Sequence, residues 1–418
     1  MLSGYSQQLY FIFALIGAGI LTYKGTKKHR IITFLLTFWI LGASIIHLEA
    51  YNLPLKFLGG EMQYKRLVFI ILLFYLTVFI FLRPRLPERI LRLPFEKYLF
   101  LFFGWFFVVI GYHYFTGTLG TRDFITVAEG VMLVLVLYLV LKYIVNIEIL
   151  QVLGKTILLV AVLSSLVAII QFFGNPWFLR IGSELPAFGG KLRSNGLFYA
   201  EYVHSYVCVM ALMVTLLGVK VGEIRNGLVA LLLIGIVLSF HRMSWIVTIV
   251  IFILYILLFN RSGFKKFIVW IPLAASIVLF LSLEIFQVVD TIQESSFYKG
   301  RLSQNSLDSR EKLSEMALRH LDEIFLFGAG STKSGMYYYA MMNAVEDRDW
   351  AMGLRGGFHN IYVYSLFFYG VPFAIIFILM LIVVIKYFLK LYFTEEAFSF
   401  FPFLFLVMFV IMNITNCF

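Results

Sequence analysis

Four basic side chains carry the chemistry this sequence can offer. Arg193 lies in GGKLRSNGLFYAEY (189–202), Arg242 in LSFHRMSWIV (238–247), Arg310 in DSREKLSEMALRHLDEIFLFGAG (308–330) and His359 in RGGFHN (355–360). A guanidinium is a planar fork that grips two phosphate oxygens at once. An imidazole that titrates near neutrality can take a proton from a hydroxyl. Three arginines and one histidine in a metal-free pocket therefore suit a reaction with a pyrophosphate leaving group. Fixed cations would stabilise the charge that develops on it, while the histidine activates an attacking hydroxyl. Each residue also has a plainer reading. Arg193 can snorkel to a membrane interface, Arg242 can be exposed on a tight loop, and His359 can be an interfacial hydrogen bonder.

The setting of these residues is a membrane. The chain has 418 residues, 61% hydrophobic and 14% charged, with a mean hydropathy of +0.92. That apolar fraction is too high for a soluble domain. The net charge of +11 fits cytoplasmic loops facing anionic lipid and gives no reason to expect a nucleic-acid partner. The two cysteines, Cys208 and Cys417, have apolar neighbours and no metal-site spacing. No cofactor motif appears, and neither do HExxH, CxxC, a Walker loop or GxSxG in a usable context. The first apolar run lacks a basic stretch before it and a cleavage site after it, so it reads as a retained span.

An all-α, polytopic membrane fold follows. A helix needs roughly 20 apolar residues to cross the hydrocarbon. Twelve runs approach that length, starting near Leu9, Ile31, Leu67, Tyr98, Thr126, Thr156, Leu197, Gly227, Trp245, Phe267, Ile361 and Ser399. KGTKKHR (24–30), RPRLPERILRLPFEK (83–97), KVGEIR (220–225) and NRSGFKK (260–266) fall on one side if the spans alternate. Their Lys and Arg content makes that side cytoplasmic. Residues 284–358 then form one large extracytoplasmic loop, and both termini face outward. The chain stops soon after its last apolar run, at NITNCF, which reads as a shortened C-terminus.

The large loop has helical periodicity, with Leu313, Met316, Ala317, Leu321 and Ile324 on one stripe. Asp308 and Glu311 suit a capping box, and Gly328 suits a helix stop. Arg193, the His241–Arg242 pair, Arg310 and His359 all fall on the outward side. Charge at membrane depth costs roughly 2.5–3.5 kcal/mol on insertion scales, which makes such residues functional candidates. The other histidines offer less. His29 lies in a basic loop, His47 and His113 end spans without nearby cations, His204 is inside a span and satisfied by a neighbour, and His320 is on the loop helix.

RSNGLF (193–198), SFHRMSW (239–245), SREKLSEMAL (309–318), FLFGAGS (325–331) and FHNIYVYSLFFYG (358–370) occur in an order, around one outer loop, that resembles the O-antigen ligase/polymerase superfamily. The likeness covers roughly residues 190–385 and divides the chain into N-terminal transmembrane helices (1–190) and a catalytic region (191–418). It implies a GT-C-like helical fold in a bacterial inner membrane. It also implies glycan transfer from an undecaprenyl-pyrophosphate carrier, without a metal, to lipid A-core or to a growing glycan. By the resemblance, Arg242 and Arg310 bind the pyrophosphate, Arg193 is a further candidate, and His359 is the base. Two apolar runs follow the loop where ligases usually have more. A flippase for lipid-linked oligosaccharide would also need cations for pyrophosphate, but not a loop ending in a base. A metal-dependent oligosaccharyltransferase would need acidic ligands early in the chain, and Glu49 and Glu61 make no close pair.

Overall fold

A computed structural model of the chain describes residues 4–26, 29–44, 52–57, 60–82, 93–144, 147–180, 184, 191–218, 224–259, 318, 321–322, 324–330 and 361–394. The described elements are almost wholly helical: α1 (Gly4–Gly25), α2 (Arg30–Ser44), α3 (Tyr64–Phe81), α4 (Glu96–Phe115), α5 (Thr121–Tyr143), α6 (Ile147–Phe173), α7 (Glu201–Met213), α8 (Arg225–Leu238), α9 (Arg242–Phe259) and α10 (Ile361–Thr394). Hydrocarbon cannot satisfy a backbone N–H or C=O, and a helix bonds its own. Among the described residues, four helices are long and apolar enough to cross a membrane: Glu96–Phe115, Asp123–Val140, Glu148–Phe173 and Tyr362–Tyr387. The apolar runs starting near Phe267 and Ser399 fall outside the described residues, as does nearly all of the large loop.

Two details depart from the sequence reading. An antiparallel hairpin, β1 (Asn52–Phe57) with β2 (Gly60–Gln63), stands between α2 and α3. Its register slips between Leu53 and Lys56, where Pro54 lacks the N–H a regular ladder needs. The seventh helix begins at Glu201, not near Leu197, because the polar RSNG segment before it is held by side chains of α6. That helix continues into a π-helical turn, Val214–Gly218, and Arg225 donates to the Leu216 carbonyl there at 3.0 Å.

Among the described residues, the helices meet in three apolar clusters. One joins α1, α2, α3 and α5 around Ile32, Leu72 and Val140. A second joins α6 to α9 around Ala161, Leu212, Leu232 and Val247. The third sets α4 and α5 against α10 through Phe106, Ile110 and Phe373. At one end of the α4–α5 pair, Glu96 accepts from Lys142 and from Tyr138, the latter at 2.5 Å, and also from the Leu93 N–H at 2.8 Å. One carboxylate thus begins α4 and ties it to the last turn of α5. Large apolar side chains such as Phe13, Phe74 and Phe115 remain exposed, as expected where the surrounding solvent is lipid.

Candidate functional site

The RSNG segment forms a buried polar wall. Gln171, near the end of α6, accepts from the Asn195 and Gly196 N–H groups at 3.1 and 2.9 Å and donates to the Gly196 carbonyl at 2.9 Å. Ser194 donates its hydroxyl to the Ala168 carbonyl and its N–H to the Leu238 carbonyl. These bonds stitch the segment to α6 and α8. His204 completes the wall. The Gly235 carbonyl can only accept, so Nε2 donates to it at 3.2 Å. Nδ1 of the neutral ring then accepts from Ser164 at 2.7 Å, and Ser164 in turn accepts the Leu197 N–H. This is the satisfied intramembrane histidine expected from the sequence.

Arg193 stands in that wall with 3% of its side chain exposed, and its Nη1 donates to Glu201 Oε1 at 2.9 Å. Its own carbonyl accepts from Arg180 at 2.6 Å. The other cation of the segment, Lys191, lies over the rings of Phe172 and Phe173 at 4.7 and 5.4 Å. The sequence showed the arginine but not its counter-ion, although both stand in the same short motif.

Arg242 is the first residue of α9. The turn before it, Ser239–His241, contains no Gly or Pro, and Phe240 takes a positive φ of 52°. Local polar groups hold that strained shape. Ser239 Oγ accepts the His241 N–H at 3.2 Å, and the His241 carbonyl accepts the Ser244 N–H at 3.1 Å. Phe240 stacks on Phe172, with centroids 5.7 Å apart. A directed chain then locks the turn onto α7. Ser205 donates to the Tyr202 carbonyl and Ser244 donates to Ser205, so His241 Nδ1 must donate to Ser244, at 2.7 Å.

Burial pushes the His241 pKa down to about 4 from an ordinary 6.5. The ring is neutral at pH 7, so Arg242 is the charged member of the pair. The linkage has a definite sign. A depressed histidine pKa means that the unfolded chain binds more protons between about pH 6.5 and 4, so stability falls as pH drops through that window. The thermal midpoint in detergent should therefore fall between pH 7.5 and pH 5. His241→Asn should flatten part of that fall, and an unchanged slope would contradict the assignment.

The remaining sequence candidates, Arg310 and His359, lie outside the described residues. What the structure adds is where the chain between them is held. Gly370 breaks α10 with φ 84° and ψ 170°, and Pro372 follows within the helix. Proline has no N–H to give the Phe368 carbonyl. That carbonyl instead accepts from Gly330 at 3.1 Å, Phe367 accepts from Ala329 at 2.8 Å, and the Val371 N–H goes to Phe325 at 2.8 Å. Residues 324–330 of the large loop are thus docked into the break by backbone bonds. Such an approach demands glycine. A Cβ on Gly328 would lie 2.3 Å from the Phe368 backbone, and one on Gly370 would lie 2.4 Å from the Leu326 carbonyl oxygen.

The family model for O-antigen ligase matches residues 227–378. Residues 227–378 are an O-antigen ligase-like region. The match lies inside the stretch that carried the resemblance in the sequence. It runs from α8, through the large loop, past the break in α10. The O-antigen ligase-like region therefore contains Arg242, Arg310, His359 and the docked segment, whereas Arg193 precedes it. A comparison with curated proteins returns no match. Among the described residues no cluster of three or more His, Cys, Asp and Glu is arranged to hold a metal ion.

Proposed function

We propose that the protein is a membrane glycosyltransferase that moves a glycan from an undecaprenyl-pyrophosphate carrier to an acceptor hydroxyl outside the bacterial cytoplasmic membrane. One observation carries this reading. The stretch that matches the O-antigen ligase model, residues 227–378, includes Arg242, Arg310 and His359 in its sequence, in a chain with four described helices long and apolar enough to cross a membrane. His359 takes the proton of the acceptor hydroxyl. The hydroxyl oxygen attacks the anomeric carbon, the bond from that carbon to the pyrophosphate oxygen breaks, and undecaprenyl pyrophosphate leaves. Arg242 and Arg310 meet the charge on the leaving group. Arg242 is helped by its place at the start of α9, where the helix dipole favours an anion.

Arg193 takes a different part in this reading. Its partner Glu201 already balances its charge, and its side chain is buried. It supports the RSNG wall and does not grip the phosphate. The acceptor is lipid A-core if the protein is a ligase, or a growing glycan if it is a polymerase. No divalent metal takes part.

The test is transfer by the purified protein from undecaprenyl-pyrophosphate glycan to a panel of acceptors, with EDTA present throughout. The expected result is glycan joined to one acceptor class together with released carrier pyrophosphate. Loss of transfer in EDTA, restored by a divalent cation, would overturn the metal-free mechanism. Donor binding and movement across a bilayer without transfer to any acceptor would make the protein a transporter of lipid-linked oligosaccharide.

A further inference from the structure

The break in α10 raises the question of what fixes its upper part. Residues Ile361–Tyr369 lie before Gly370, and the helical hydrogen-bond ladder does not carry through that residue. Their position is therefore set by lateral bonds, and those bonds lead to residues 325–330. That segment is itself tied to α4. His113 Nε2 donates to the Phe327 carbonyl at 3.0 Å, and Nδ1 pairs with the Thr118 hydroxyl at 2.8 Å. The Phe327 ring stacks on Tyr112 with centroids 4.1 Å apart and lies parallel to Trp105 at 6.2 Å. A Cβ built on Gly330 would stand 3.3 Å from the His113 ring, so the segment runs directly along the imidazole.

We infer that His113 clamps this joint between the loop segment, the broken helix and α4, and so acts as a positioning residue for glycan transfer. The inference rests on the transferase reading. His359 precedes Ile361 by two residues, so a shift of residues 361–369 is passed to the base through a short length of chain. A displacement of about 1 Å at a reacting group can cost about 100-fold in rate. His113 touches no reacting atom in this account. It acts through a carbonyl, a helix break and the start of α10.

The test uses the full chain in lipid nanodiscs, with His113→Phe, which keeps a ring but loses the donor, and His113→Gln, which restores an N–H. Amide exchange is followed over 324–330 and 361–371, and transfer kinetics are measured with undecaprenyl-pyrophosphate glycan. In His113→Phe, exchange at Ala329 and Gly330 should quicken about 10-fold or more, and kcat should fall about 10-fold with donor KM within about 2-fold. His113→Gln should recover most of both. Should the phenylalanine variant fail to fold, Thr118→Val removes the other ring partner and carries the same test. Unchanged exchange in an active His113→Phe protein overturns the clamp. Faster exchange with an unchanged kcat overturns the positioning role. Glutamine and phenylalanine variants that lose activity equally, at wild-type thermal stability, show that the hydrogen bond is not the link. A wild-type chain that binds donor and never transfers overturns the transferase reading, and this role with it.

Discussion

Replacing His359 with alanine is expected to lower kcat for glycan transfer by about 100-fold or more, the usual contribution of a positioned general base. Donor binding should stay within about 3-fold, because the proposed mechanism gives the phosphate to arginines and not to the imidazole. That split separates a base from a residue that merely completes the fold, which would weaken binding and thermal stability together. The same assignment predicts a pH limb. Imidazoles titrate near neutrality, so wild-type kcat should drop as pH falls toward 5, while the residual rate of His359→Ala should not follow it. Equal transfer by both proteins, or a wild-type rate flat from pH 5 to 8, would remove His359 from the chemistry. Asn360 follows it and Ile361 begins α10, so the control is Asn360→Ala. A comparable loss there would point to the start of the helix and not to the base.

The helical membrane class was legible because hydrophobicity is a property of runs, and runs survive any arrangement of the helices. Ten of the expected span starts have a described helix at or near them. The shift of α7 from Leu197 to Glu201 shows where that logic stops. Leu197 and Phe198 are apolar and buried, but the backbone beside them is held in a loop by Gln171 and Ser164, from a helix more than twenty residues away. Periodicity carries no information about such partners. His204 could be read as satisfied because an unpaired ring inside a span is too costly to keep. His113 looked equally plain, since no cation is near it in sequence, and its partner Phe327 comes from the middle of the large loop. A local signal for the joint did exist. Gly370 and Pro372 interrupt an apolar run, and FGAG supplies glycines in the loop. Nothing in either motif says that they meet. Arg242 was placed correctly at a helix end because HR divides two apolar runs without a turn residue. The neutrality of His241 beside it depends on burial, which only the packed structure reveals.

The second large effect concerns the wall. Removing one partner of a buried ion pair leaves an uncompensated charge and typically costs about 3–5 kcal/mol. Arg193 and Glu201 are nearly inaccessible, so Arg193→Met and Glu201→Leu should each sharply lower the thermal midpoint and the yield of folded protein. The double variant is the informative one. Replacing both ions of such a pair with apolar side chains of similar size is often neutral, so Arg193→Met/Glu201→Leu should regain most of the lost stability. Its donor KM then decides what Arg193 does. If the arginine only supports the RSNG wall, the recovered protein binds donor within about 3-fold of wild type, as expected where no hydrogen bond to the charged phosphate has been lost. If Arg193 leaves Glu201 to grip pyrophosphate during turnover, the double variant folds but its donor KM stays raised by about 10-fold or more, the value of a hydrogen bond to a charged group. The first outcome is expected because the Glu201 carboxylate lies 2.9 Å from Nη1 and is supplied by the first turn of the adjoining helix. A phosphate would have to displace a counter-ion that the fold itself holds in place.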